Sequence, residues 1–397
     1  MNKARIKKGN KVDDLSINAT GYSLEQLRNL FPITRESIYL FNGNIIPCAT
    51  PVREAMQAFL EDWTRHGDGC WTTGAQAFAE GKLLFAELIH ASPETIVGIP
   101  NTTTGINLAA LMIRPQAGQN VVVTELEHMS DVYPWLAFKK QGVEIRYVPA
   151  REGRIELDEF SNYVDDQTAA VSICHVTMGT GFRWDLAQAC KIAKGHGAKV
   201  VVDAAQSVGA VPTDVSAWGV DILAAPSFKW MLGPLGAGFM YVCPELIAAC
   251  DPPLPGWFGV TNPGENDLHH PRWHQTAHKF ERGVPSMIGF VGAAAGLKLL
   301  REVGHEAVFD RIAELASYLY EGLSELGVTL CTPRQPARRA GIVAIQLPGQ
   351  DRLWKQLEES RIHIGNWLGC LRIDPGCYNT ETELDVLLQR VRKFMAA

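Results

Sequence analysis

The sequence predicts an α/β protein with a large domain built on a mostly parallel sheet and a small α+β domain at the C-terminus. Three observations carry that reading. Apolar, β-branched runs alternate with helix-period segments through the middle of the chain. The connections between them are mostly a few residues long. The alternation stops at a Pro-, Gly-, His- and Trp-rich stretch, 251–281, beyond which helices dominate. Near-continuous apolar strands separated by amphipathic helices mean a parallel sheet covered on both faces.

Taken in order, a first helix is expected over 24–30. Strands follow at 121–124, 143–148, 169–175 and 200–203, with a short one at 222–225. Helical periodicity marks 106–113, 132–140, 157–164 and 185–196 between them. The irregular stretch 251–281 has the length at which loops tend to be functional. Two helices come next, 285–302 and 305–326, then a strand at 341–346, a helix at 351–360 and a strand at 371–373. The last helix opens with a capping box, Thr380 with Glu383 three residues on. The domains expected are an N-terminal arm and helix over 1–35, the large domain over 36–284 and the small one over 285–397. A chain of 397 residues at about 150 per domain agrees with two.

Composition excludes several classes. Hydrophobic residues make up 46% and charged residues 20%, which is the balance of a globular protein with a large core. A net charge of −6 gives no global pull towards nucleic acid or an anionic membrane. The basic run Lys3, Arg5, Lys7, Lys8, Lys11 is followed by Val12-Asp13-Asp14 and not by an apolar segment, so it reads as a solvated arm and not as a secretory signal. The longest mostly apolar stretch, 287–300, is too short to span a bilayer. Nine cysteines, no two closer than seven positions, speak against a disulfide framework and for reduced thiols in a cytoplasmic protein. The sequon Asn18-Ala19-Thr20 then carries no meaning.

Four features bear chemistry, and each has a bland alternative. Asn101-Thr102-Thr103-Thr104-Gly105 opens a helix, where hydroxyls and free N–H groups make either an anion site or a simple cap. Asp203 ends the apolar run Val200-Val201-Val202, where open α/β sheets place ligand sites. A carboxylate there needs a cation: a protonated cofactor ring nitrogen, or a nearby Arg or Lys. Lys229, in Pro226-Ser227-Phe228-Lys229-Trp230, is either a desolvated amine able to form a Schiff base or a surface lysine with its stem on Trp230. His128 follows the strand 121–124 and either stacks on a planar ring as an acid/base group or caps a helix. The glycines 233, 236 and 238 do not fit a nicotinamide-binding turn.

The order and spacing of the four say more than each alone. A phosphate-type turn is followed by a strand-end His, by an Asp with Gln206 three residues on, and by a Lys 26 residues after that Asp. The set resembles a pyridoxal 5′-phosphate enzyme of fold type I. More narrowly it is similar to aminotransferase class V, in the branch of cysteine desulfurases, selenocysteine lyases, isopenicillin N epimerase-like proteins and kynureninases. The resemblance runs from Tyr39-Leu40-Phe41-Asn42-Gly43-Asn44 to Tyr378-Asn379-Thr380 and includes Glu127-His128, Asp203-Ala204-Ala205-Gln206, Phe280-Glu281-Arg282-Gly283 and Leu371-Arg372-Ile373-Asp374-Pro375. It implies a seven-stranded, mostly parallel sheet in the large domain and a homodimer with the active site at the interface. It also implies that Lys229 carries the Schiff base, Asp203 faces the pyridine nitrogen, Gln206 the phenolic oxygen and His128 the ring face. Thr102 and Thr103 would bind the phosphate. Arg372 would clamp the α-carboxylate of an amino-acid substrate, with Asn42 and Trp257 beside it.

Three departures shape the functional expectation. The desulfurases carry a nucleophilic Cys in the segment here numbered 360–369, which has none; Cys370 falls in a strand. Their Ser and His before the Schiff-base lysine are Pro226 and Phe228 here, which leaves Ser227 as the neighbouring hydroxyl. Their Gly-Thr-Pro is Gly283-Val284-Pro285. The resemblance therefore implies a lyase that removes the α-proton and expels a sulfur substituent from Cβ without a protein thiol. Aminotransferase, epimerase, decarboxylating, desulfurase and non-catalytic cofactor-binding readings stay open, as does the identity of the substrate. His270, His274 and His278 are spaced by four beside His269, but Pro271 breaks the helix that spacing would need and no metal is expected.

Overall fold

The computed structural model describes residues 16–17 and 22–396. The basic run Lys3 to Lys11 and the sequon at 18–20 lie outside the described residues. Among those described, the centre of the molecule is a seven-stranded sheet: β1 (Ile96–Ile99), β2 (Asn120–Thr124), β3 (Glu144–Val148), β4 (Thr168–Cys174), β5 (Lys199–Asp203), β6 (Ile222–Pro226) and β7 (Gly238–Val242). The spatial order is β1-β7-β6-β5-β4-β2-β3, and β7 alone runs antiparallel, against both β1 and β6. The β-branched runs behave as the pattern predicts. Val121, Val122, Val123, Val171, Val200, Val201 and Val202 are fully buried, as strands covered on both faces require. β1 and β7 carried no separate signal, being short apolar runs next to glycines.

Helices α1 (Thr50–His66) and α2 (Cys70–Leu88) are absent from the sequence-based expectation. The reason is physical. α1 buries only Val52 and Phe59 and leaves Leu60 and Trp63 exposed, so its apolar residues do not form one inward stripe. Both pack on α6 (Met287–Val303), a helix buried along most of its length because it is rich in Gly and Ala. A Cβ at Gly296 would sit 2.6 Å from the carbonyl oxygen of Met231, so that position admits only glycine. α6 therefore belongs to the first core, with the sheet. The second core begins at Leu315, within α7 (His305–Glu325), and not at residue 285.

That second core holds a four-stranded sheet of β8 (Thr329–Leu330), β9 (Val343–Gln346), β10 (Gly365–Trp367) and β11 (Cys370–Ile373), in the order β8-β9-β11-β10. Helix α8 (Gln350–Glu359) and helix α9 (Glu381–Met395) cover it; α9 carries the expected capping box of Thr380 and Glu383. Residues 38–41 join this unit: Ile38–Tyr39 pairs in parallel with Ile362–His363, Phe41 bridges to Asp374, and Leu40 is in the second core. The N-terminal helix Leu24–Asn29 sends Leu27 into the first core while Arg28 pairs with Glu383 at 3.0 Å. No helix among the described residues is long and apolar enough to cross a membrane.

Candidate active site

A cavity of about 500 Å³ lies where the carboxyl ends of β4, β5 and β6 face the small sheet. This is the edge at which open α/β sheets bind ligands, because loops and helix N-termini converge there. Thr102 starts α3 (Thr102–Ile113), capped by Asn101, whose Oδ1 accepts from Thr104 N–H at 2.9 Å. The Oγ1 of Thr102 is buried and has no partner, a costly state unless a ligand takes it. Thr103 donates to Ser130 Oγ at 2.8 Å, and both line the cavity with Thr102. Two hydroxyls and an orphaned third at a helix N-terminus fit a phosphate. Ser227 does not join them, since its hydroxyl is spent on the carbonyls of Pro234 and Ala237.

Asp203 ends β5 and is 5% exposed. Its Oδ1 accepts from Ala205 N–H at 2.8 Å, which leaves Oδ2 for another donor. Burial raises its pKa; the Ala205 hydrogen bond and then the charge of Lys229 oppose that shift. Gln206 is held at both ends: Nε2 donates to Gly43 O at 2.8 Å, and Oε1 accepts from Trp230 Nε1 at 3.0 Å. One N–H of its amide remains. Lys229 lines the cavity and is not a surface residue; burial lowers its pKa to about 8, against the pull of Asp203. The indole of Trp230, the alternative support for its stem, is turned to Gln206.

His128 caps a helix and also faces the cavity. Its Nδ1 accepts from Ser130 N–H at 3.1 Å, capping α4 (Met129–Leu136), while the ring lines the cavity. That cap starts the helix three residues before the predicted 132. The hydrogen bond puts the proton on Nε2, and burial holds the pKa below the ordinary histidine value. An orphaned hydroxyl at a helix N-terminus, a half-paired carboxylate, a half-paired amide, a desolvated amine and a neutral imidazole together fit pyridoxal 5′-phosphate.

Arg372 lines the opposite wall, on β11. Its Nε and Nη2 donate to the carboxylate of Asp374 at 2.5–3.0 Å, and Nη1 donates to Met178 O at 3.2 Å. Phe41 lies against the guanidinium, 4.9 Å from ring centroid to Cζ. Gly43 completes the knot: a Cβ there would fall 2.7 Å from Arg372 Nη2 and 2.8 Å from both Asp374 Oδ2 and Gln206 Oε1. Phe41, Trp354, Ile364 and Trp367 make most of the rest of this wall apolar, with the amides of Asn44 and Asn366 among them.

Two expected substrate residues are elsewhere. Asn42 is fully buried behind the wall, donating to Asp374 O at 2.8 Å and accepting from Tyr378 at 2.6 Å; Gly43 and Asn44 take its place at the cavity. Asn42, Gly43 and Asn44 form a turn closed by Asn44 N–H donating to Phe41 O at 3.1 Å, and the chain reversal brings Gly43 and Asn44, not Asn42, to the cavity. Trp257 is half-exposed in a short turn and borders a separate cavity of about 290 Å³ with His270 and Trp273. His274 and His278 lie 4.4 Å apart on that irregular segment, and among the described residues no three His, Cys, Asp or Glu side chains group closely enough to hold a metal. Ser130 and Asp374 went unassigned; the i, i+2 spacing of Arg372 and Asp374 on extended chain was the available signal for the second.

The profile of the Aminotransferase class-V family matches residues 38–387. An uncharacterized aminotransferase of Bacillus subtilis is 27% identical over 360 residues, covering 91% of this chain and 95% of that protein. A probable cysteine desulfurase of Aeropyrum pernix is 31% identical over 372 residues, covering 89% of this chain and 90% of its own. Among solved structures, the apo cysteine desulfurase of Thermococcus onnurineus NA1 superposes with a TM-score of 0.85 at 27% identity, covering 93% of this chain and 97% of that one.

Proposed function

From the premise that the chain belongs to the aminotransferase class-V family, whose enzymes depend on pyridoxal 5′-phosphate, we propose that it is a C–S lyase acting on a cysteine-derived amino acid by β-elimination. The cofactor, when bound, withdraws electrons from the substrate's Cα, which makes the α-proton acidic and lets a β-substituent depart. Asp203 Oδ2 would hold the protonated ring nitrogen, which would remove the cost of burying that carboxylate unpaired. Thr102, Thr103, Ser130 and the N-terminus of α3 would hold the phosphate, the remaining N–H of Gln206 the phenolic oxygen, and His128 the ring itself. Lys229 would hold the cofactor's aldehyde carbon, and its freed Nζ would serve as general base for the substrate's α-proton, a role that a pKa near 8 suits.

One observation carries the choice of β-elimination: the thiol inventory of the cavity. Cys174 is the cysteine on its wall, and burial beside Glu127 pushes that thiol well above its ordinary value, so it is no nucleophile. The stretch Ile364 to Trp367 supplies apolar and amide groups there, and no thiol. Elimination needs no acceptor, since the thiol leaves as itself and water completes a 2-oxo acid and ammonia.

A desulfurase with a relocated nucleophile is the second reading, supported by Cys370. Its hydrogen bond with Cys331, Sγ to Sγ 3.4 Å, pulls its pKa to about 7. The test is incubation of the cofactor-loaded protein with an S-substituted cysteine. A 2-oxo acid, ammonia and free thiol support the lyase; alanine with a persulfide on Cys370 replaces it with the desulfurase. The protein works as a homodimer in this reading, with Trp63, Trp71 and Val284, exposed around one surface cavity, as the apolar surface that association would bury.

A further inference from the structure

The guanidinium expected to receive the substrate carboxylate already holds one. Nε and Nη2 form the edge best matched to a carboxylate, and Asp374 occupies it with three contacts of 2.5–3.0 Å. Asp374 is 0% exposed and Arg372 3%, so neither has water to fall back on. Asp374 cannot easily withdraw. Gly43 presses on its Oδ2, its backbone carbonyl accepts from Asn42 Nδ2, and its backbone N–H donates to Leu40 O at 2.7 Å. Phe41 and Met178 O fix the arginine from two further sides. What remains for a ligand is one N–H on Nη1 and one on Nη2, on a pair whose net charge is zero.

We propose that Asp374 sets the selectivity of the site: by filling the better edge of Arg372 it leaves only weak recognition of a free α-carboxylate, and the substrate is chosen by an apolar side chain on Cβ. The inference rests on the proposed reading of the cavity as the place where an amino compound meets Lys229. A substrate carboxylate at the Nη1–Nη2 end lies close to the fixed negative charge of Asp374, in a pocket where little water screens the repulsion. The apolar wall of Phe41, Trp354, Ile364 and Trp367 has no such conflict, and it opens next to Arg372. The compounds this combination favours are amines and amino acids with a bulky, uncharged thioether or alkyl group, including those whose carboxyl is blocked.

The test compares L-norleucine with L-norleucinamide, which have the apolar chain and no group to eliminate, by the change they cause in cofactor absorbance. In the wild-type holoenzyme the two dissociation constants, corrected for amine ionisation, should differ by less than tenfold. Asp374→Asn keeps the shape and removes the charge. It should tighten norleucine by tenfold or more and move norleucinamide by less than threefold. A wild-type preference for the acid above tenfold overturns the proposal, and that measurement needs no variant to fold. So does an Asp374→Asn enzyme, shown folded by its melting curve, in which the acid is bound no better or worse; Asp374 would then serve only to orient the arginine. Silence towards both compounds would overturn this inference together with the reading of the site. Binding as predicted, without elimination from S-substituted cysteines, would overturn the reaction alone.

Discussion

On the sheet side of the cavity each polar group is half-paired: Asp203 keeps one oxygen, Gln206 one N–H, and Thr102 its hydroxyl. On the small-sheet side the one charged group, Arg372, is already matched to Asp374, and its surroundings are mostly tryptophan, isoleucine and phenylalanine, with the amide of Asn366. The first wall offers unfinished hydrogen bonds, which suits a ligand that never changes. The second offers surface and little charge, which suits the part of the reaction that differs between enzymes of one fold. Variants on the two walls should therefore fail differently.

The largest effect belongs to Lys229. Lys229→Ala should lower turnover by more than about 10⁴-fold, since it removes both the Schiff base and the α-proton base. The cofactor should dialyse away or stay trapped with substrate. The lowered pKa adds a pH signature. An amine with a pKa near 8 is neutral, and hence nucleophilic, above that pH and not only above 10.5. Loading of stripped protein with pyridoxal phosphate should thus rise with pH through about 8 and level off beyond it. A rise continuing past pH 10 would show an ordinary exposed lysine.

Asp203→Asn comes next. It leaves the shape of the wall intact but removes the counter-charge, so kcat should fall by about 10²–10³-fold while substrate binding changes little. Equal losses in kcat and in affinity would mean that the carboxylate only supports the fold.

How much of this comparison was legible beforehand differs by wall. The sheet side is written in local sequence. Asp203 directly ends a three-valine run, Gln206 is three residues on, Thr102 opens a helix, and Lys229 follows a strand. For Asp203, Gln206 and Lys229 the position is set by where a strand stops, which the apolar pattern shows. The other wall is assembled from residues far apart in sequence, Phe41, Met178, Trp354, Trp367 and Arg372, and no periodicity reports that they meet. Asn42 shows the limit most clearly, since it is one residue from the cavity on either side yet faces away. Helix α1 was missed for a related reason: part of its apolar surface is left uncovered within one chain, so the inward stripe that identifies a helix is incomplete.

On the apolar wall, Trp367→Ala should lower kcat/KM for a bulky S-substituted cysteine by about 10–100-fold, the range for removing a large apolar contact, with a much smaller change for a substrate bearing a methyl group. Cofactor loading should stay as in the wild type. A loss of cofactor would mean that Trp367 serves the other wall.

The smallest effect is expected at Cys370, two residues from Arg372 on the same strand. Its sulfur is 3.4 Å from Cys331 Sγ, and it is only 8% exposed, paired across the β10–β11 hairpin with Trp367. A desulfurase needs its thiol on the reacting sulfur, in which case Cys370→Ser would abolish turnover. In β-elimination the sulfur leaves from Cβ once Lys229 has taken the α-proton, and nothing in that sequence touches Cys370. The serine keeps the hydrogen-bonding capacity and costs about 1 kcal/mol of stability at most, the usual net worth of one such bond. Activity should therefore stay within about threefold of wild type, with the same products. The acidic thiol gives an independent readout. The contact with Cys331 lowers its pKa to about 7, so alkylation of Cys370 should proceed near neutral pH, followed by peptide mapping to separate it from the exposed Cys48. If alkylation of Cys370 leaves elimination running, the thiol is a bystander beside the apolar wall; if alkylation and Cys370→Ser both stop the release of sulfur, the chemistry runs through Cys370, and the two walls share the reaction.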